Sequence, residues 1–260
     1  MLIFTTDKPR LQQHFEKDKV LFSYHLGDLD DFYFPYCQWG VDYKDRARIE
    51  EAILIYTGCE IPSVIAFGLS ERFEGLLEQM LPLLPPKFFC HFQEQSRSLF
   101  QSSYKEDSLG THHKMKLNRL QPVIKSAYNS SIIRLDESHL APLETLYTSA
   151  YPGNYFTERM LLTGKYFGYI EDEKILSVSG VHVDSDKYKI AVLGNIVTDI
   201  EHRGKGLGTA VTSKLVEELV AEDKMVCLNV KEDNVPAIAS YTKLGFEKTH
   251  EYEEAAFRLI

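Results

Sequence analysis

The segment that most narrows what this 260-residue chain can fold into runs Val197-Thr198-Asp199-Ile200-Glu201-His202-Arg203-Gly204-Lys205-Gly206-Leu207-Gly208. An apolar run enters a turn with three glycines, and the turn opens a helix whose Leu207, Val211, Leu215 and Leu219 recur every fourth residue. Such a strand–turn–helix leaves the first helical amides without intrahelical partners and presents the positive end of the helix dipole. Glycine lets an anion approach the backbone closely, and Arg203 and Lys205 add charge. A pyrophosphate is the natural ligand. The spacing is neither a Walker loop nor the G-x-G-x-x-G of dinucleotide sites, and a glycine-rich turn taken alone is also compatible with a mere tight turn.

A second element follows at Leu228–Phe246. Asn234 is a good helix cap, Pro236 is tolerated in a first turn, and Gly245 is a plausible left-handed stop. Tyr241 lies two turns after Asn234, about 10 Å along the axis, on nearly the same face as Ala237 and Ile238. By itself this segment also reads as a capped amphipathic helix with a core tyrosine.

Composition excludes several classes. Hydrophobic residues make up 44% and charged residues 26%, as in ordinary globular proteins, so a core is possible without disulfides or metals. The net charge of −9 repels phosphate backbones and anionic membranes, which argues against nucleic-acid and membrane partners and would favour a cationic amine. Cys37, Cys59, Cys90 and Cys227 form no CxxC pair, so neither a disulfide framework nor a zinc site is expected, and a cytoplasmic location is. No apolar run reaches the ~18 residues of a membrane helix, and the N-terminus lacks the plan of a secretory signal.

The chain changes character near residues 117–130, which are polar and contain Pro122, and two domains are expected, 1–122 and 130–260. The first reads as mixed α/β: a helix capped by Asp7, helical residues 20–29, strands near 37–44, 48–57 and 61–67, a helix over 71–84, and strands at 87–92 and 111–117. It has no glycine-rich turn before its helix. The second reads as βααβββαβαββ, with a helix from Ser138 capped by Asp136, a short helix after Thr157 closed by Gly164, and a tail of two strands, 246–249 and 255–259.

Together the two elements resemble the GNAT superfamily of acyl-CoA-dependent N-acetyltransferases over residues 131–260. Arg203, Gly206 and Gly208 match the Arg/Gln-x-x-Gly-x-Gly/Ala hallmark, and Asn234, Ala237, Tyr241, Gly245 and Phe246 match the later one. Gly164–Gly168 and Gly194–Thr198 resemble the glycine N-acyltransferase-like branch, in which a degenerate GNAT-like half precedes the active one; the N-terminal half here resembles such a half. The resemblance implies a mixed-sheet α/β GNAT fold. It also implies acetyl-CoA as co-substrate without a metal, and a small-molecule or peptide amine as acceptor. Backbone groups of Ile196, Val197 and Thr198 are then expected to pair with pantetheine, the amides of Gly204, Lys205, Gly206, Leu207, Gly208 and Thr209 to hold the pyrophosphate, and Asn234 to touch the coenzyme. Tyr241 is expected to protonate the departing thiolate.

The base is less defined. Related enzymes often carry Glu five residues before the capping Asn, where this chain has Asn229. His182 and Asp199 are the candidates, with a water chain or a purely structural histidine as alternatives. Tyr151, Tyr155 and Phe156 either line the acceptor pocket or simply pack. His112-His113 is expected at a solvated strand end, and Glu251, Glu253 and Glu254 in a solvated turn. A longer acyl donor, or a sensor that binds acyl-CoA without turnover, are the competing functions.

Overall fold

The computed structural model describes residues 1–45, 47–121, 128 and 131–260. The chain forms two compact units, Met1–Lys114 with Thr249–Ile260, and Met115–Lys248. Most of the junction expected between 122 and 130 lies outside the described residues.

Unit 1 contains β1 (Ile3–Thr5), α1 (Lys8–Phe15), α2 (Ser23–Asp28), β2 (Cys37–Asp45), β3 (Arg48–Tyr56), β4 (Ser63–Ala66), α3 (Arg72–Met80), β5 (Lys87–Phe92), α4 (Arg97–Gln101) and most of β6 (Tyr104–Leu117). Strands β1 to β4 pair antiparallel in succession, and β4 pairs parallel with β5 across the α3 crossover. Asp7 caps α1 by accepting from the Arg10 amide, as its sequence position requires. Helix α3 buries Phe73, Leu76, Leu77 and Met80, one stripe at helical spacing. It stops at Met80 rather than continuing to Leu84: Pro82 falls in a 3-10 turn over Leu81–Leu83, because proline lacks the amide that an α-turn needs. A stacked aromatic core of Phe88, Phe92, Phe100 and Phe257 closes this part of the unit.

Unit 2 contains β7 (Ile132–Arg134), α5 (Leu140–Ala150), β8 (Phe167–Glu171), β9 (Lys174–Ser185), β10 (Ile190–Thr198), α6 (Leu207–Ala221), β11 (Met225–Lys231) and α7 (Val235–Leu244). Its strands run in the order β7-β8-β9-β10-β11, antiparallel except for the parallel pair β10–β11. Leu207, Val211, Leu215 and Leu219 of α6 are all buried, so the four-residue spacing is the core-facing stripe. Three expectations are corrected. The segment after Thr157 is a 3-10 helix, Glu158–Thr163, and Thr157 makes no side-chain cap. Asp136 caps a 3-10 turn, Glu137–His139, that precedes α5. The tail is one long strand, β12 (Phe246–Leu259), not two.

That strand also corrects two readings of surface charge. Glu254 is buried, with the Nε2 atoms of His91 at 3.6 Å and His112 at 3.3 Å from its carboxylate, and His113 is only 4% exposed. Strand pairing, not solvent, surrounds these groups. Among the described residues no helix is long and apolar enough to cross a membrane, and no group of three His, Cys, Asp or Glu side chains is arranged to hold a metal. All four cysteines are free thiols.

His14 and His25 lie among aromatic rings, with Phe15 5.3 Å and 4.8 Å from them, centroid to centroid. Burial, reinforced by Lys17, pushes the His14 pKa from 6.5 down to about 4, and burial with Lys114 and His14 pushes His25 well below its ordinary value. Both stay neutral in the folded chain but take up protons when unfolded below pH 6.5, so stability is full above that pH and lost as pH falls toward 4. His14 alone contributes roughly 3 kcal/mol to this loss. Urea unfolding compared at pH 7.5 and pH 5 is expected to show it, and His14→Gln to flatten the dependence. An equal dependence in both proteins contradicts the assignment.

Candidate active site

The site begins where two strands part. Strands β10 and β11 pair in parallel from Ile190–Met225 to Leu193–Leu228, and the pairing ends there. Strand β10 continues to Thr198, held on its other edge by β9 through Val197–Val178 and Thr198–Ser177. Ile196, Val197 and Thr198 therefore lie beyond the last rung with β11.

Two irregularities accompany the parting. Val192 pairs with Val183 and Leu193 with Val181, so His182 is an extra residue of β9. Gly194 pairs with Gly180 and Val197 with Val178, so Asn195 and Ile196 oppose the single residue Ser179 and form a bulge in β10. Asn195 has φ 53°, a left-handed conformation that asparagine tolerates better than most residues. Three side chains hold it. Tyr147 Oη donates to the Asn195 carbonyl at 2.8 Å, Asn195 Nδ2 donates to Tyr166 Oη at 3.0 Å, and Tyr166 Oη donates to the Val181 carbonyl at 3.1 Å. All three are buried, so each bond is expensive to lose. Sequence reasoning assigned none of them a role. The one available signal was an asparagine after a glycine inside an apolar run, the composition of a bulge.

His182 lies beside this bulge. A Cβ on Gly194 would collide with the His182 ring, so glycine is required there. The Tyr155 ring meets His182 edge-on at 6.4 Å, whereas Phe156 packs on Tyr147 and Tyr166 at 5.0 and 5.6 Å. Of the three expected acceptor-side aromatics, Phe156 is thus a packing residue and Tyr155 a neighbour of His182. Tyr151 is 38% exposed.

Asp199, the other candidate base, is committed elsewhere. It accepts from the Glu201 amide at 3.1 Å and contacts His202 Nδ1 at 2.7 Å, and the His202 bond holds its pKa below the usual carboxylate range. A carboxylate so stabilised is a poor base. Arg203 likewise spends its guanidinium on backbone, donating from Nε to the Thr198 carbonyl at 3.3 Å and from Nη2 to the Ala150 carbonyl at 3.1 Å. Its place in the motif is that of a strut between the end of β10 and the end of α5.

The turn itself is open. Gly204 and Gly206 have φ 75° and 85°, and a Cβ on either would meet nothing within 4 Å. Gly206 caps α6 with no side-chain hydrogen bond, so among the described residues the first-turn amides of Leu207, Gly208 and Thr209 have no side-chain cap from it, while Tyr128 Oη donates to the Lys205 carbonyl at 3.2 Å. Lys205 is exposed beside them. Thr209 Oγ1 bonds Ser240 Oγ at 2.6 Å, tying α6 to α7. Asn234 caps α7 by accepting from the Ala237 amide at 3.3 Å, and it is exposed. Tyr241 is 8% exposed on the same helix, and burial together with the nearby Tyr151 raises its pKa well above that of a free phenol. Asn229, on β11 just past the last rung, has its Nδ2 buried with no hydrogen-bond partner among the described residues.

Comparison with known proteins follows the same outline. Residues 185–255 match the family described as FR47-like protein. No curated protein matches the chain by sequence. Among solved structures, an acetyltransferase of the GNAT family from Colwellia psychrerythraea aligns over 100% of both chains at 13% identity and TM-score 0.58. A tandem GNAT protein from the clavulanic acid biosynthesis pathway aligns over 98% of both at 14% identity and TM-score 0.60. A protein from Novosphingobium aromaticivorans assigned to the GNAT acetyltransferases covers 80% of this chain and 88% of its own at 15% identity and TM-score 0.63. At these identities the likeness is one of fold, and the chain is accordingly a GNAT-fold protein with an FR47-like segment at residues 185–255.

Proposed function

We propose that the chain is an N-acetyltransferase that moves the acetyl group of acetyl-CoA to a primary amine of a small molecule or peptide by direct attack. The observation that carries this reading is the open corner at Gly204–Thr209: uncapped helical amides, left-handed glycines and an adjacent lysine, directly after a strand that has just lost its neighbour. Such amides are an anion receptor that suits a diphosphate. Beyond the last β10–β11 rung, the backbone of Ile196, Val197 and Thr198 can take an extended pantetheine arm as an added strand.

When bound, the thioester supplies an activated acyl carbonyl. The bulge at Asn195–Ile196 interrupts the β9 ladder, and a backbone amide freed there can stabilise charge developing on the carbonyl oxygen. Tyr241, protonated at neutral pH as any phenol is, can donate to the leaving sulfur. His182 is the group assigned to accept the amine's proton, because Asp199 is occupied by His202 and position 229 carries an amide. In this reading Arg203 and Asn234 shape the corner and the helix start, and Lys205 carries the free charge. The chain shares only the fold with the tandem GNAT protein.

Three outcomes are expected. Gly206→Val, which places a branched side chain at φ 85°, is expected to weaken coenzyme A binding at least ~10-fold by calorimetry. Tyr241→Phe is expected to lower kcat roughly 100-fold in an assay of coenzyme A release over a panel of amines, with coenzyme A affinity unchanged. Equal turnover by both proteins removes Tyr241 from the chemistry, and saturable binding with no turnover on any amine makes the chain a sensor instead. Asn195→Ala is expected to lose about 1–3 kcal/mol in urea unfolding and to lower kcat. Asn195→Gly, which keeps the left-handed backbone accessible, is expected to lose less than Asn195→Ala; the reverse order contradicts the assigned role of the bulge.

A further inference from the structure

Unit 1 repeats the layout that builds the candidate site in unit 2. Strand β3 pairs antiparallel with β4, and β4 leads through α3 to the parallel strand β5. In unit 2 the same sequence is β9, β10, α6 and β11. Each unit thus has one corner where a strand leaves its ladder and turns into the crossover helix.

The two corners differ in what meets their backbone amides. In unit 1 they are already taken. The Gly68 amide donates to Gln93 Oε1 at 3.0 Å, and the Leu69 amide donates to both carboxylate oxygens of Glu51 at 3.2 and 3.1 Å. Burial raises the Glu51 pKa, and Ser70 together with the Leu69 amide works against that by favouring the charged form. The Arg72 amide donates to Ser70 Oγ at 3.3 Å. Glu51 is 0% exposed on β3, and Lys17 acts on it only at a distance. At the end of β9 in unit 2 stands a neutral group, Ser177, whose hydroxyl bonds the Val197 carbonyl and Thr198 Oγ1.

A fully buried carboxylate is costly unless donors converge on it. Here the donors are main-chain amides at a strand–helix corner, the same kind of group that is left uncapped in unit 2. We infer that the unit 1 corner is an anion receptor with a built-in ligand: Glu51 occupies the place that a diphosphate takes in unit 2, so the chain binds one coenzyme, in unit 2 alone. This rests on the coenzyme reading of unit 2. Sequence alone pointed to a missing glycine turn in the first half; the corner there is kept and filled.

Two measurements on the full chain test the inference. Calorimetric titration with coenzyme A is expected to give one site per chain, and Gly206→Val is expected to weaken all of that binding together. Two sites per chain, or a site whose affinity is unchanged in Gly206→Val, overturns it. Glu51→Ala is expected to lower the melting temperature, and formate is expected to raise it again in proportion to concentration, relative to equal chloride, while leaving the wild-type melting temperature unchanged. Formate acting equally on both proteins overturns the inference. If Glu51→Ala does not fold, Glu51→Gly and Glu51→Ser, expressed and refolded with and without formate, give the same readout: recovery only with formate supports the built-in anion, and recovery with neither or both contradicts it. Absence of any coenzyme binding by the wild type contradicts the proposed function instead, and the formate arm still decides the role of Glu51.

Discussion

The candidate site depends on the end of the β10–β11 pairing at Leu193 and Leu228. A parallel pair that continued to Thr198 would satisfy its backbone internally and present nothing to a ligand. The parting is held on the β10 side by a buried polar network. Tyr147 takes the Asn195 carbonyl, Asn195 takes Tyr166, and Tyr166 returns to Val181. Each of these bonds is desolvated and costly to lose, although Asn195 Oδ1 itself is buried without a partner among the described residues. The open edge, the His182 ring over Gly194 and the glycine corner all follow from the path this network imposes on β10.

The remaining polar groups divide between those that build the corner and those that stay available. Arg203 and Asp199 both carry charges that a motif-based reading would direct at ligand or proton. The structure uses Arg203 to tie Thr198 to Ala150 and Asp199 to order the turn with His202. Among the described residues, Lys205, the first-turn amides of α6 and the buried Asn229 donor are left without such commitments. Charge at a binding corner is thus supplied mainly by backbone dipoles, which need no side-chain reorganisation to act.

Much of the second unit was legible because local signals agreed with one another. The four-residue stripe of α6, the Asn234 cap and the Gly245 stop each matched the element they specify. The misreadings have physical causes. Periodicity does not distinguish an α-turn from the 3-10 turns at Leu81–Leu83 and Glu158–Thr163, which differ by a single hydrogen bond in register. The charged run at Glu251–Glu254 resembled a turn because alternation in a strand with one polar face looks like a polar segment until its partner is known. The bulge network was invisible for a different reason: Tyr147, Tyr166 and Asn195 are far apart in sequence, and nothing local marks a tyrosine that will meet a carbonyl 48 residues away.

The most direct measurement of the central claim is a crystal structure of the chain with acetyl-CoA. Diphosphate oxygens are expected within hydrogen-bonding distance of the amides between Gly204 and Thr209, with the pantetheine arm extended along Ile196–Thr198. A diphosphate bound elsewhere, with those amides still facing solvent, would contradict that claim.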